Sequence, residues 1–272
     1  MRDFRPAAVA GMFYPGVPAA LAASVRACLV DAATRSRAGG APPKALIVPH
    51  AGYVYSGAIA AAAYARLAAL HATIRRVVLL GPAHRVAVRG LALPSVRGFA
   101  TPLGVVEIDR KAAALALTLP QVVESDAVHA QEHALEVQLP FLQAVLDDFR
   151  IVPFAVGAAS TEEVADVLER LWGGPETLIL VSSDLSHYHP YAEARAIDRG
   201  SVDGILALSP ALDFEQACGA TPINALLQCA RRRGLVPELL DLRNSGDTAG
   251  DKSRVVGYAS FAFVEEAARG RP

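Results

Sequence analysis

Ala45-Leu46-Ile47-Val48-Pro49-His50-Ala51-Gly52-Tyr53 is the stretch from which the rest of the chain is read. Four apolar residues in a row follow the Gly/Pro-rich segment from Gly39 to Pro43 and stop at a proline, the pattern of a short buried strand. An imidazole stands directly beyond its end. The same arrangement recurs twice. Arg76-Val77-Val78-Leu79-Leu80 ends at Gly81-Pro82 and is followed by His84, and Thr177-Leu178-Ile179-Leu180-Val181 ends at Ser182-Ser183 and is followed by Asp184 and His187. Weaker strand patterns cover Arg150 to Val156, Glu238 to Leu242 and Val255 to Val264.

Between these runs lie helical patterns: Pro18 to Ala33, Gly57 to Leu70, Arg110 to Leu119, Thr161 to Trp172, Tyr191 to Leu208 and Pro222 to Arg233. Asp109, Ser160 and Thr221 stand where N-caps belong, the last just before Pro222 at an expected first helical position. Continuous apolar strands separated by helices predict an α/β fold with a central, mostly parallel sheet covered by helices on both faces. The turn-rich segment from Gly90 to Ile108 is expected to add an antiparallel edge. No repeat or linker interrupts the pattern, so one domain over 1–272 is expected. If the three strands are parallel, His50, His84, Asp184 and His187 share the rim where open α/β sheets take their ligands.

Composition narrows the partners. The 272 residues carry Lys+Arg 26 against Asp+Glu 27, a formal net charge of −1, and 53% are hydrophobic. That much apolar material builds a sizeable core and excludes disorder, while the missing cationic excess argues against a nucleic-acid or membrane-surface binder. The opening MRDFRPAAVAGMFYPG has no apolar leader core, and no run reaches the roughly 20 apolar residues of a membrane span. With three cysteines (Cys28, Cys218, Cys229) and no CxxC pair, neither a disulfide framework nor a zinc knuckle is expected, and the expected location is the cytoplasm.

A lone histidine reads equally well as a core or capping residue; three strand ends delivering imidazoles to one rim read as a shared metal or catalytic site. His189, just before Pro190, reads as a surface or capping residue. In His129-Ala130-Gln131-Glu132-His133-Ala134-Leu135-Glu136, a helix would put His133 and Glu136 on one face, where they can hold a metal or exchange a proton, or form a solvated face. The string is EHxxE, not the HExxH of zinc proteases. Cys218, next to a helix start, can become a thiolate that ligates a metal or attacks a carbonyl, whereas Cys28 and Cys229 read as core residues. In the loop of Asn244-Ser245-Gly246-Asp247 and Ser253-Arg254, Arg254 can orient an anionic or carbonyl group, or the loop is purely structural.

PHAGYVYSG, GPAHR, EHALEVQLPFLQ, SSDLSHYHP, CGATPI and NSGDTAGDKSRVVGYASFAF resemble, in order, the signature blocks of the Memo family, whose prokaryotic members are called AmmeMemoRadiSam system protein B. The resemblance runs from about Arg5 to Val264. It implies a fold like that of the class III extradiol dioxygenases, with His50, His84 and Cys218 at metal-ligand positions. It also implies that Asp184 and His187 match an acidic residue and the acid/base imidazole of those enzymes. Cys218 stands where a true dioxygenase has a carboxylate. A thiolate is softer and more readily oxidised, so fold likeness alone does not carry the activity over.

Two function classes follow. One is a metal-dependent oxidoreductase acting on a small molecule: iron is the first expectation, with copper or zinc as alternatives. His187 and Asp184 are its proton-handling residues, and His133 and Arg254 line its pocket. The other is a non-catalytic adaptor that binds a peptide or works beside a radical-SAM protein and its companion domain, as the family's prokaryotic name implies. A thiol hydrolase built on Cys218, His187 and Asp184 is a third arrangement of the same parts.

Overall fold

The computed structural model describes residues 3–35 and 40–266. Twelve strands and eight α-helices follow one another through the described residues. The strands are β1 (Phe4–Arg5), β2 (Pro43–Val48), β3 (Arg76–Pro82), β4 (Leu91–Leu93), β5 (Gly98–Thr101), β6 (Gly104–Glu107), β7 (Val122–Glu124), β8 (Arg150–Val156), β9 (Thr177–Ser182), β10 (His187–His189), β11 (Leu235–Asn244) and β12 (Val255–Glu265). The helices are α1 (Pro18–Arg35), α2 (Tyr53–Tyr64), α3 (Arg110–Ala116), α4 (Asp126–His129), α5 (Leu139–Val145), α6 (Thr161–Leu171), α7 (Tyr191–Leu206) and α8 (Ala220–Arg232).

The three apolar runs read as buried strands and the weaker pattern from Arg150 to Val156 lie side by side in the order β2-β9-β3-β8, all parallel. Every residue of β9 is buried, and so is every residue of β3 from Val77 to Pro82. Because side chains alternate between faces, this requires cover on both sides of the sheet. Helices α1, α2 and α5 pack with one another as one group, and α3, α6 and α8 form another through α6. Antiparallel strands close both margins. β12 joins β2 and carries β11 and β10; on the far side β4, from the turn-rich segment, runs antiparallel to β8 and pairs with β7. The rest of that segment, β5 and β6, forms a hairpin in a separate small sheet with β1.

Two N-caps stand as expected. Asp109 accepts from the Ala112 N–H at 3.0 Å, and Ser160 forms a reciprocal capping box with Glu163 at the start of α6. Thr221 is not the cap of α8: the helix starts at Ala220 and Gly219 takes the cap position. Pro222 is still tolerated, because the first-turn N–H groups have no partner within the helix. The cap is glycine for a steric reason. A Cβ on Gly219 would lie 2.7 Å from Ser183 Cβ, and the Gly219 N–H donates to Ser183 Oγ at 2.8 Å. That contact holds the residue after Cys218 against the end of β9.

The segment around His133 departs from the helical reading. Helix α4 ends at His129, a turn follows, and α5 begins only at Leu139 with Pro140 in its first turn. The carboxylate of Glu132 accepts the N–H groups of His133 (2.8 Å) and Ala134 (2.9 Å), which closes a turn in place of a helix. A single 3-10 turn over Glu136–Gln138 then leads into α5, with the Val137 N–H donating to the His133 carbonyl at 3.0 Å. Glu136 is fully buried and accepts from Arg5 Nη1 (2.7 Å), the Ala8 and Val9 N–H groups, and the Tyr14 hydroxyl (2.5 Å). It binds the N-terminal segment to the loop, and these are the partners its carboxylate takes in place of His133.

Candidate metal centre

Beyond the carboxyl ends of the parallel strands, three imidazoles meet. His50 follows β2, His84 follows β3, and His133 arrives from the turn between α4 and α5. Their ring centroids are separated by 5.2 Å (His50–His84), 5.5 Å (His50–His133) and 4.7 Å (His84–His133), the last pair nearly stacked. One nitrogen from each ring lies within 4.8 Å of the others, a spacing that can hold a metal ion. Cys218 joins them from the chain before α8, with Sγ 3.4 Å from His50 Nε2.

Hydrogen bonds define which nitrogens are free. Ser182 Oγ donates its single proton to the Ala134 carbonyl at 2.7 Å and accepts from Gln138 Nε2 at 2.8 Å. Toward His50 Nδ1, 2.9 Å away, it can only accept. His50 therefore carries its proton on Nδ1 and presents a bare Nε2. At His84 the Nδ1 lies 3.0 Å from the Glu132 carboxylate, which only accepts, so Nδ1 carries a proton and in the neutral ring Nε2 is the bare nitrogen. Metal-binding histidines are typically held this way, with the far N–H given to a carboxylate or oxygen and the near nitrogen left for the ion. His133 Nδ1 is buried and lacks a hydrogen-bond partner, since its 3.3 Å approach to Glu132 is misaligned. An orphaned imidazole nitrogen beside two pre-oriented bare ones fits a metal-binding group.

The electrostatics favour neutral rings at His50 and His133. Burial, reinforced by the His84 imidazole, pushes the His50 pKa down to about 3. Burial and His50 together lower His133 to about 4. Burial works against ionisation of Glu132, yet hydrogen bonds from His84 and from backbone N–H groups bring it down to about 2. Neutral imidazole is the form that ligates a metal. Burial and the nearby Asp184 charge raise the Cys218 thiol to about 12 in the metal-free protein, so a helix start alone does not make it a thiolate.

The remaining sequence candidates fall at different distances from this cluster. Asp184 is buried and accepts the His50 N–H at 2.7 Å, so it fixes the backbone at the end of β2. Burial raises its pKa against the pull of that bond and of His187. His187 is half-buried in β10, which pairs with the first residues of β12, whereas β2 pairs with β12 from Phe261 onward. The register puts β10 beyond the carboxyl end of β2, on the same rim as His50. Arg254 is exposed, with its guanidinium 5.1 Å from the Tyr188 ring centroid. Tyr188, itself exposed, has a φ of 62°, a left-handed conformation that is costly for a residue with a side chain. His189, half-buried at the end of β10, pairs with the Glu193 side chain at 2.9 Å and does not cap α7, whose cap position is Pro190. Glu132 and Ser182 were not singled out from the sequence. Their partners lie 48 residues away in the chain, and no local pattern announces them.

A mixed sheet with a parallel centre and a histidine cluster beyond its strand ends defines an α/β protein with a candidate metal site on the sheet rim. Comparison with known proteins gives the particular family. The chain belongs to the Memo family: the family described as Memo-like protein matches residues 5–262. A MEMO1 family protein of Methanosarcina barkeri is 38% identical, covering 94% of this chain and 98% of its own. One from Archaeoglobus fulgidus is 35% identical over 94% of this chain and 97% of its own. Among solved structures, an uncharacterized protein of Escherichia coli K12 superposes with a TM-score of 0.52 at 13% identity, covering 80% of this chain and 98% of that one. That likeness concerns the fold alone.

Proposed function

We propose that this protein binds a redox-active metal, iron in the first place and copper or zinc as alternatives, and uses it on a small molecule. His50, His84 and Cys218 are the proposed ligands, with His133 as a further imidazole at the same point. The observation that carries this is the pair of bare Nε2 atoms, one set by Ser182 and the other by Glu132, converging with a third, partly orphaned ring. A bound metal of this kind would supply electron transfer or Lewis acidity. The protein's own part is to hold neutral nitrogens and a sulfur in place without needing to reorganise them. His187, on the open side of the rim, is proposed to exchange a proton with the bound molecule. Asp184 keeps His50 in register beneath it, and Arg254 on Tyr188 offers a cationic contact at the edge.

Protein purified without oxygen or chelator is expected to carry near-stoichiometric metal, lost in His50→Ala and His84→Ala. Bound metal is expected to slow alkylation of Cys218 by iodoacetamide. Sub-stoichiometric metal in folded wild type and variants alike would overturn the metal reading, and equal alkylation rates would remove Cys218 from the ligand set.

A partner-binding role has one observation in its favour. Met12, Val54, Tyr188 and Phe214 are each more than 60% exposed, and each lies within four residues of Phe13, His50, His187 or Cys218. Phe13 itself packs 4.8 Å from the His133 ring. Exposed apolar side chains so near in sequence to residues of the cluster suit a docked peptide. Surface variants at these positions that lose a co-purifying partner while keeping the metal would support that role.

A further inference from the structure

Glu132 makes more contacts to the histidine cluster than any other acidic side chain among the described residues, and its own side chain is buried. Its Oε2 accepts the His84 backbone N–H at 2.6 Å. Its Oε1 accepts from His84 Nδ1 at 3.0 Å and from the backbone N–H groups of His133 and Ala134. One carboxylate therefore grips both the backbone and the ring of His84 and also forms the turn on which His133 stands. Its own backbone is anchored from the opposite side. The Glu132 carbonyl accepts Arg5 Nη2, and the Glu132 N–H donates to His129 O at 3.2 Å, a carbonyl that also accepts Arg5 Nε at 2.5 Å.

We infer that Glu132 is the positioning residue of the centre: it sets the tautomer and orientation of His84 and holds His133 beside it. This role rests on the metal reading given above. The chemistry is specific to a carboxylate. It has only acceptors and meets only donors here, whereas a glutamine in its place would turn an NH2 group toward one of those N–H groups. A loop merely needing to be filled would tolerate the amide. A carboxylate that fixes a ligand's tautomer would not, and partners of this kind are worth 10–100-fold in metal affinity.

The test titrates metal-free wild type, Glu132→Gln and Glu132→Asp with cobalt(II), following the visible ligand-field bands and competition against a chelator. Nitrogen-15 spectra of the metal-free wild type report the His84 tautomer independently. The expected result is an Nδ1–H tautomer at His84 and a 10–100-fold affinity loss in Glu132→Gln at unchanged fold, with partial recovery in Glu132→Asp. Glu132→Gln binding within twofold of wild type, or an Nε2–H tautomer at His84 in wild type, would overturn the assignment. The tautomer measurement stands even if the glutamine variant fails to fold. Wild type that binds no cobalt would remove the metal reading and this role with it; tight wild-type binding unchanged by glutamine removes this role alone.

Discussion

Replacing Arg5 by methionine tests how the N-terminal segment supports the centre. The Arg5–Glu136 pair is only 4% and 0% exposed, with a 2.7 Å contact. The guanidinium also donates to the carbonyls of His129 and Glu132 and lies 4.7 Å from the Phe99 ring centroid. Arg5→Met leaves the Glu136 charge buried with only the Ala8 and Val9 N–H groups and the Tyr14 hydroxyl. Breaking one side of such a pair costs about 3–5 kcal/mol, because the remaining charge keeps its desolvation penalty. At this chain length each kcal/mol shifts the melting temperature by about 2 °C, so a fall of about 6–10 °C is expected. Glu136→Gln, which strands the guanidinium instead, should cost a similar amount. The double variant removes both charges and should lose less than the sum of the two by at least about 1 kcal/mol. Urea denaturation of all four proteins, with slopes compared, gives these values. Strict additivity, or an Arg5→Met cost below about 1 kcal/mol, would refute the view that a buried ion pair ties the N-terminal segment to the loop.

Three further outcomes follow from individual contacts. Ser160→Ala removes one half of the capping box on α6 and should cost about 1 kcal/mol by denaturation; no change would show that solvent caps this helix equally well. Gly219→Ala drives a Cβ to 2.7 Å from Ser183 and should destabilise the protein by about 1–3 kcal/mol while weakening cobalt binding at Cys218. A variant as stable as wild type would refute the close approach. Burial holds His129 at a pKa of about 4, below its unfolded value near 6.5. Its contribution is fully present above pH 6.5 and is lost as pH falls toward 4, because the unfolded chain takes up a proton that the native ring refuses. About 3 kcal/mol is at stake, so metal-free His129→Gln should lose less stability than wild type across that window. Parallel losses would refute the assignment.

The scaffold was largely legible because its signals are local. A run such as Leu178 to Val181 has nowhere to go but a covered sheet, and a histidine placed just after it must stand at the rim. Ser160 and Asp109 announced their helices for the same reason. The failures all involve distant partners. Periodicity suggested a helix through His133 and Glu136, but the Glu132 carboxylate captured the turn and Arg5 drew Glu136 into the core. Thr221 lost the cap position to Gly219 because Ser183, 36 residues away, demands a residue without a side chain. The bond from the His50 N–H to Asp184 likewise joins residues 134 apart, beyond any local pattern. The Cys218 sulfur lies 3.4 Å from His50 Nε2, but the ring nitrogens near enough to share an ion come from His50, His84 and His133, the last expected only in the pocket lining.

Ser182 has a consequence for proton traffic. Tyr64 Oη donates to Gln138 Oε1 at 2.6 Å, and Gln138 Nε2 donates to the Pro49 carbonyl and to Ser182. Ser182 in turn spends its hydrogen on Ala134, so every donor in this line points one way and ends at a carbonyl. A proton passed from His50 Nδ1 to Ser182 would meet only a peptide carbonyl at Ala134 and an amide at Gln138, neither of which takes up a proton and passes it on. The Ser182 side of His50 is thereby a dead end for protons, whereas His84 and His187 stand toward the open rim.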